Sequence, residues 1–253
     1  MTQTTVNEMG TLTFGSLFAG IGGLDLGLER AGMECRWQVE IDDYAQRVLA
    51  KHWPDVRRHD DVRTWPDGDV EPVDLICGGF PCQDISYAGA GAGLSGERSG
   101  LFFETVRVVR LLRPRFVLLE NVAALLTRGL DRVHGELAAL GYCTESHCVP
   151  ASYVGARQLR DRVWIVAHAE CDSIQGGAIV STAWRGESRE EQLAGLVQPC
   201  AWPTLSESRD RGAGNGVPSR VHRNRGLGNA VVPQVAEWIG RQIVGSLDRD
   251  DGE

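Results

Sequence analysis

The chain has 253 residues, of which 42% are hydrophobic, enough for one sizeable core with at most a small appendage. A net charge of -8 excludes a protein that coats nucleic acid with its whole surface, so any polyanion must meet a local basic patch. The longest apolar runs are strand-sized and the amino terminus lacks a basic region followed by an apolar run, so neither a membrane span nor a signal peptide is expected and the cytoplasm is the expected location.

Residues 1 to 10 are polar and read as a frayed end. Thr11 to Leu17 form an apolar strand that runs into Phe18-Ala19-Gly20-Ile21-Gly22-Gly23, and Leu24, Leu26, Leu28 and Ala31 then suit a helix ending at Gly32. Strand, glycine turn and helix can cradle a negative group at the helix amino terminus or can be a tight packing turn, and the glycine spacing is not the GxGxxG of dinucleotide sites. A second strand, Arg36 to Val39, is followed at once by Glu40, which either partners ribose hydroxyls, as an acid there does in nucleoside sites, or is a solvated carboxylate at a strand end. After a helix from Tyr44 to His52 comes His59-Asp60-Asp61-Val62, in which Asp61 either accepts a hydrogen bond from an adenine amino group or caps a turn.

Val73 to Cys77 read as a buried strand bounded by Pro72 and by Gly78-Gly79. A glycine-rich loop follows, with Cys82 near its start, between Pro81 and Gln83 and without apolar neighbours to pack on. Cys82 is therefore the candidate nucleophile, whereas Cys35, Cys77, Cys143, Cys148, Cys171 and Cys200 suit packing. Seven cysteines without a CxxC pair argue against a disulfide framework and against a structural zinc, and no metal is expected.

The next helix spans Leu101 to Leu112 and stops before Pro114. Phe116 to Leu119 make another buried strand, ending in Glu120-Asn121-Val122. Glu120 is a candidate acid or a salt-bridged structural carboxylate, since a buried carboxyl needs a partner or a proton. A helix through Val133 to Leu140 precedes Gln158-Leu159-Arg160-Asp161-Arg162 and the strand Val163 to Ala167. On extended chain Arg160 and Arg162 leave on one face and grip an anion together; the alternative is a solvated edge. From His168 to Arg225 the chain is polar and weakly periodic, and Arg209, Arg211, Arg220, Arg223 and Arg225 face only Asp210 in charge. That stretch is either a backbone-phosphate contact or a linker. Gly228-Asn229-Ala230-Val231-Val232-Pro233 then leads into a helix from Gln234 to about Leu247.

In this order the segments Phe18 to Gly23, Gly79-Phe80-Pro81-Cys82-Gln83, Glu120-Asn121-Val122, Gln158 to Arg162 and Gly228 to Pro233 resemble the motifs of the cytosine-5 DNA methyltransferase family. The resemblance implies an α/β, Rossmann-like S-adenosylmethionine-dependent methyltransferase fold with a small, mostly irregular second domain. Residues 1–167 and 226–253 would form the catalytic and cofactor-binding domain, its last helix folding back onto the first part, and 168–225 a shortened target-recognition region. S-adenosylmethionine would bind at Phe18, Gly20, Gly22, Gly23, Glu40, Ile41, Asp61, Val62, Pro81, Leu101, Asn229 and Ala230. Cys82, Glu120, Arg160 and Arg162 would carry the chemistry, and Gln83 and Ser86 would face DNA together with the five arginines from Arg209 to Arg225. The expected substrate is duplex DNA with one cytosine flipped out, acted on by a monomer, with room for a cognate restriction endonuclease. Competing readings are a tRNA cytosine-5 methyltransferase, a silent DNA-binding relative and, more remotely, a nicotinamide-dependent oxidoreductase.

Overall fold

The structure, a computed structural model, describes residues 10–66, 68–81, 100–156, 160–169 and 230–250, with side chains through 247 in the last segment. Among the described residues seven strands form a single sheet: β1 (Thr13–Leu17), β2 (Glu34–Val39), β3 (Arg57–His59), β4 (Leu75–Gly79), β5 (Phe116–Val122), β6 (Cys143–Pro150) and β7 (Asp161–His168). Their order is β3-β2-β1-β4-β5-β7-β6, parallel except for β7, which runs antiparallel between β5 and β6. The helices are α1 (Gly23–Arg30), α2 (Asp43–His52), α3 (Gly100–Leu112), α4 (Leu125–Arg128), α5 (Leu130–Ala139) and α6 (Pro233–Asp250). This is the doubly wound, Rossmann-like arrangement. The chain leaves β1 toward β2 on one side and returns to β4 on the other, so a crevice opens beyond their carboxyl ends.

Alternation along the strands builds two cores. Leu17, Val39, Ile76, Leu119 and Ile165 meet Phe102, Val106 and Val109 of α3 and Val133 and Leu137 of α5 on one face. On the other face Phe14, Leu75, Phe116, Leu118 and Trp164 meet Leu24 and Leu28 of α1 and Trp238, Ile239 and Ile243 of α6. The carboxyl-terminal helix therefore does fold back, onto α1. Glycine makes the approach close: a Cβ on Gly27 would come 2.5 Å from the Cβ of Ala236, and one on Gly240 would come 2.8 Å from that of Ala31.

Several expected boundaries move. Gly78 and Gly79 are the last residues of β4 and not the start of a loop, because β5 pairs with both and β1 pairs with Gly78 from the other side. β5 likewise continues through Glu120-Asn121-Val122, held by β7 as far as Val122 opposite Arg162. Two strands carried no periodic signal, β3 with three residues and β6 with the polar sequence CTESHCVP; both are sheet edges, where burial demands little of the sequence. Cys35, Cys77 and Cys148 are free thiols and Cys143 is disulfide-bonded, so the odd cysteine count did not exclude a cross-link. Among the described residues no helix is long and apolar enough to cross a membrane.

Candidate active site

A cavity of about 970 Å³ lies beyond the carboxyl ends of the central strands. Its walls include Phe18, Gly20, Gly23, Glu40, Ile41, Asp61, Val62, Pro81, Leu101, Ala230, Glu120 and Arg162, residues the sequence singled out from widely separated segments. Gly22 is placed differently: it caps α1 in the left-handed region at φ 83, and a Cβ there would strike the Trp53 ring, so it shapes the turn without lining the cavity. Cys82, Gln83, Ser86, Asn229 and the arginines at 209, 211, 220, 223 and 225 lie outside the described residues, as does the region 170–229.

At one end of the cavity the glycine turn and β2 are locked together. The Glu40 carboxylate accepts the Gly20 N–H at 2.7 Å on one oxygen and the Asp42 N–H at 2.8 Å on the other, so it is pinned and not simply solvated. Phe18 sits at φ 53, a left-handed conformation uncommon for a bulky residue, held where β1 gives way to the turn. Asp61 is engaged by Arg63, whose backbone N–H donates to Oδ1 at 2.9 Å and whose Nη2 lies 2.6 Å from Oδ2. These hydrogen bonds hold the Asp61 carboxyl below its ordinary range. Ile41, 62% exposed, stands at the rim beside them.

The donor and acceptor set suits an adenosine-type ligand. Two fixed carboxylates retain lone pairs for hydroxyl and amino groups, while Ile41, Val62 and Leu101 offer apolar faces to a purine. At Gly20 a Cβ would meet only the Phe18 carbonyl, at 4.0 Å, so a side chain there would take up open cavity.

At the other end stands Glu120, 8% exposed. Its Oε1 is 2.8 Å from Nε of Arg162, and its Oε2 lies 3.1 Å from where a Cβ of Gly79 would be. Gly79, paired opposite Glu120, thus leaves the room that lets the carboxyl lie across β4. Burial pushes the Glu120 carboxyl up, against the opposing pull of Arg162 and Arg160. The two arginines do not act as parallel arms on extended chain. Arg160 is at φ 35, before β7 begins, and its Nη2 donates to the Ala230 carbonyl at 2.7 Å, whereas Arg162 turns to Glu120. Arg160 thereby ties the carboxyl-terminal segment to the site, and Val231 of that segment packs on Gly23, whose Cβ would lie 2.6 Å from the Val231 carbonyl oxygen.

Asn121 was missed in the sequence, although it adjoins Glu120. Its buried Nδ2 donates to the Phe80 carbonyl at 3.1 Å, which anchors the backbone two residues before Cys82. No spacing signal marks that partner, 41 residues away. Also unassigned was Asp25, wholly buried under β1 and β2, which accepts from Gln38 Nε2 at 2.7 Å and Ser16 Oγ at 3.1 Å.

Comparison with known proteins places this geometry. Residues 12–194 match the family described as C-5 cytosine-specific DNA methylase. Type II methyltransferase M2.BsuMI of Bacillus subtilis is 37% identical over 160 residues, 60% of this chain and 41% of that one. Type II methyltransferase M.HhaI of Haemophilus parahaemolyticus is 32% identical over 176 residues, 65% of this chain and 51% of that one. The chain thus spans about two fifths to one half of the length of these curated relatives. A crystal structure of an E. coli prophage protein described as a putative DNA modification methyltransferase superposes with a TM-score of 0.63 at 20% identity, over 94% of this chain and 100% of that one. That likeness shows the fold, the Rossmann-like fold of S-adenosylmethionine-dependent methyltransferases. With a match over more than half its length and the sheet order to go with it, the chain belongs to the C-5 cytosine-specific DNA methylase family.

Proposed function

We propose that the chain transfers a methyl group from S-adenosylmethionine to C5 of a cytosine flipped out of duplex DNA. The observation that carries this is the shared cavity: the pinned Glu40 and Asp61 line one end, and the buried Glu120–Arg162 pair lines the other. Phe18, Gly20, Gly23, Ile41, Val62, Pro81, Leu101 and Ala230 contribute to the cofactor side, Gly22 through the turn it shapes, and Asn229 joins them as the chain neighbour of Ala230. When bound, S-adenosylmethionine supplies a methyl group activated by its sulfonium. Glu40 takes the ribose hydroxyls and Asp61 the adenine amino group.

Cytosine C5 is too weakly nucleophilic to react unaided. The Cys82 thiolate adds to C6 while Glu120, which holds its proton more firmly than an ordinary carboxyl, delivers it to N3. Arg162 keeps Glu120 oriented and, with Arg160, supplies positive charge that favours the thiolate. Once C5 carries the methyl and S-adenosylhomocysteine is left, N3 returns its proton to Glu120, the C5 proton leaves to water, and Cys82 departs as thiolate by elimination. Residues 1–167 and 226–253 form the catalytic unit, a division supported by the packing of α6 on α1. The region 168–225, with Arg209, Arg211, Arg220, Arg223 and Arg225, contacts the DNA backbone, and Gln83 and Ser86 face the DNA. The protein works as a cytoplasmic monomer and, by the type II designation of its relatives, beside a restriction endonuclease.

Labelled methyl transfer from S-adenosylmethionine to unmethylated duplex DNA, followed by base-resolution mapping, tests this. Expected is 5-methylcytosine in wild-type reactions and none with Cys82→Ala, which retains cofactor binding. Labelling of tRNA in place of DNA, or undiminished transfer by Cys82→Ala, overturns the proposal.

A further inference from the structure

Arg107 is a half-buried residue of α3, outside every motif the sequence pointed to. Its Nε is 2.6 Å from Oε2 of Glu104, one turn earlier on the same helix. Its Nη2 donates to two carbonyls of the segment after β3, that of Val62 at 2.6 Å and that of Trp65 at 2.5 Å. The guanidinium therefore closes the turn that starts at Asp61, where the Thr64 and Trp65 N–H groups donate to the Asp61 carbonyl.

The consequence for the site runs through one rigid unit. The Val62 carbonyl and the Arg63 N–H belong to the same planar peptide. Arg107 holds its oxygen, and its N–H donates to Oδ1 of Asp61 at 2.9 Å. Rotation of that peptide would take the backbone hydrogen bond from Asp61 and move the Arg63 side chain that donates its other three, so the orientation of the carboxylate depends in part on a helix to which it is not bonded. Glu104 fixes the guanidinium in turn, and Glu104 and Leu101, one face of the same helix, line the cavity opposite Asp61.

We infer that Arg107, braced by Glu104, is a positioning residue for recognition of the cofactor's adenine amino group: through the Val62–Arg63 peptide it aims the Asp61 carboxylate. This rests on the cofactor reading given above.

The test is calorimetric binding of S-adenosylhomocysteine and of its analogue with inosine in place of adenosine, to the full chain. Wild type binds the adenosine form and prefers it to the inosine form, which lacks the amino group. Arg107→Met is expected to weaken the adenosine form about tenfold, the loss of roughly one charge-assisted hydrogen bond. The inosine form is weakened little, so the preference collapses. Arg107→Lys retains part of it, because an ammonium can reach one carbonyl, and Glu104→Gln shifts it in the same sense by less. Equal weakening of both ligands, or an unchanged preference, in the variants overturns the inference, since a merely structural tie would act on both ligands alike. If Arg107→Met fails to melt cooperatively, Glu104→Gln and Arg107→Lys decide by the same criterion. Failure of wild type to bind S-adenosylhomocysteine instead overturns the cofactor reading itself.

Discussion

Glu120 shows how a single side chain is tuned by its place in a sheet. β5 supplies an apolar run that buries it, Gly79 of β4 leaves room for its carboxyl, and Arg162 of β7 meets one oxygen. Removing the ionisable proton while keeping the shape should therefore isolate its role. Glu120→Gln is expected to slow single-turnover methyl transfer by about 10²–10⁴-fold with cofactor affinity unchanged, and a wild-type rate would remove Glu120 from the mechanism. Asp25 is a second tuned carboxyl, raised from 3.8 to about 6 chiefly by burial, with the Gln38 hydrogen bond opposing. The folded state thus binds its proton more tightly than the unfolded chain does. Its contribution to stability is fully present below pH 3.8 and is lost as pH rises to about 6, a change of roughly 3 kcal/mol at 1.36 kcal/mol per unit. Subtracting the unfolding free energies of Asp25→Asn from those of wild type should give a curve that falls across that window and is flat above it. A difference independent of pH would show that Asp25 does not titrate there.

Between elements, the packing that completes the site is α1 against α6. Gly27 has no room for a side chain, because a Cβ would press on Ala236 at 2.5 Å and on the Glu237 backbone nitrogen at 2.9 Å. Gly27→Ala should cost about 1–3 kcal/mol in denaturant unfolding through overpacking. It should also weaken cofactor binding, since the segment just before α6 places Ala230 and Val231 in the cavity wall. Gly135 in α5 is the control, for nothing lies within 4 Å of its Cβ position. There the same substitution should stabilise by about 0.5–1 kcal/mol through the better helix former. Equal effects at the two sites would contradict the packing account.

For the molecule as a whole, charge sets how DNA can be approached. With a net charge of -8 the chain as a whole repels a polyanion, and the contact proposed for the phosphates is the basic stretch from Arg209 to Arg225. Replacing Arg220, Arg223 and Arg225 by Gln should flatten the dependence of log affinity on log salt by about one for each phosphate no longer neutralised, with S-adenosylhomocysteine binding unaffected. An unaltered slope would place the phosphate-binding surface elsewhere.

What could be read from the sequence was what a short stretch encodes by itself. Hydrophobic periodicity marked β1, β2, β5, β7 and all the longer helices, and glycine and proline marked the turns. Acids directly after apolar runs marked Glu40 and Glu120, and five motifs in order pointed to the family that the comparisons show. The tertiary structure alone decided what depends on partners distant in the chain. β4 extends through two glycines because β5 pairs with both and β1 with Gly78, and the edge strands β3 and β6 exist because a neighbour's backbone offers them hydrogen bonds. Arg160 departs from Arg162 because the Ala230 carbonyl, 70 residues on, stands within reach. Arg107 closes on Val62 across 45 residues for the same reason. A hydrogen bond across such a gap is set by where the sheet brings two backbones together, and neither partner's local sequence carries a record of the other.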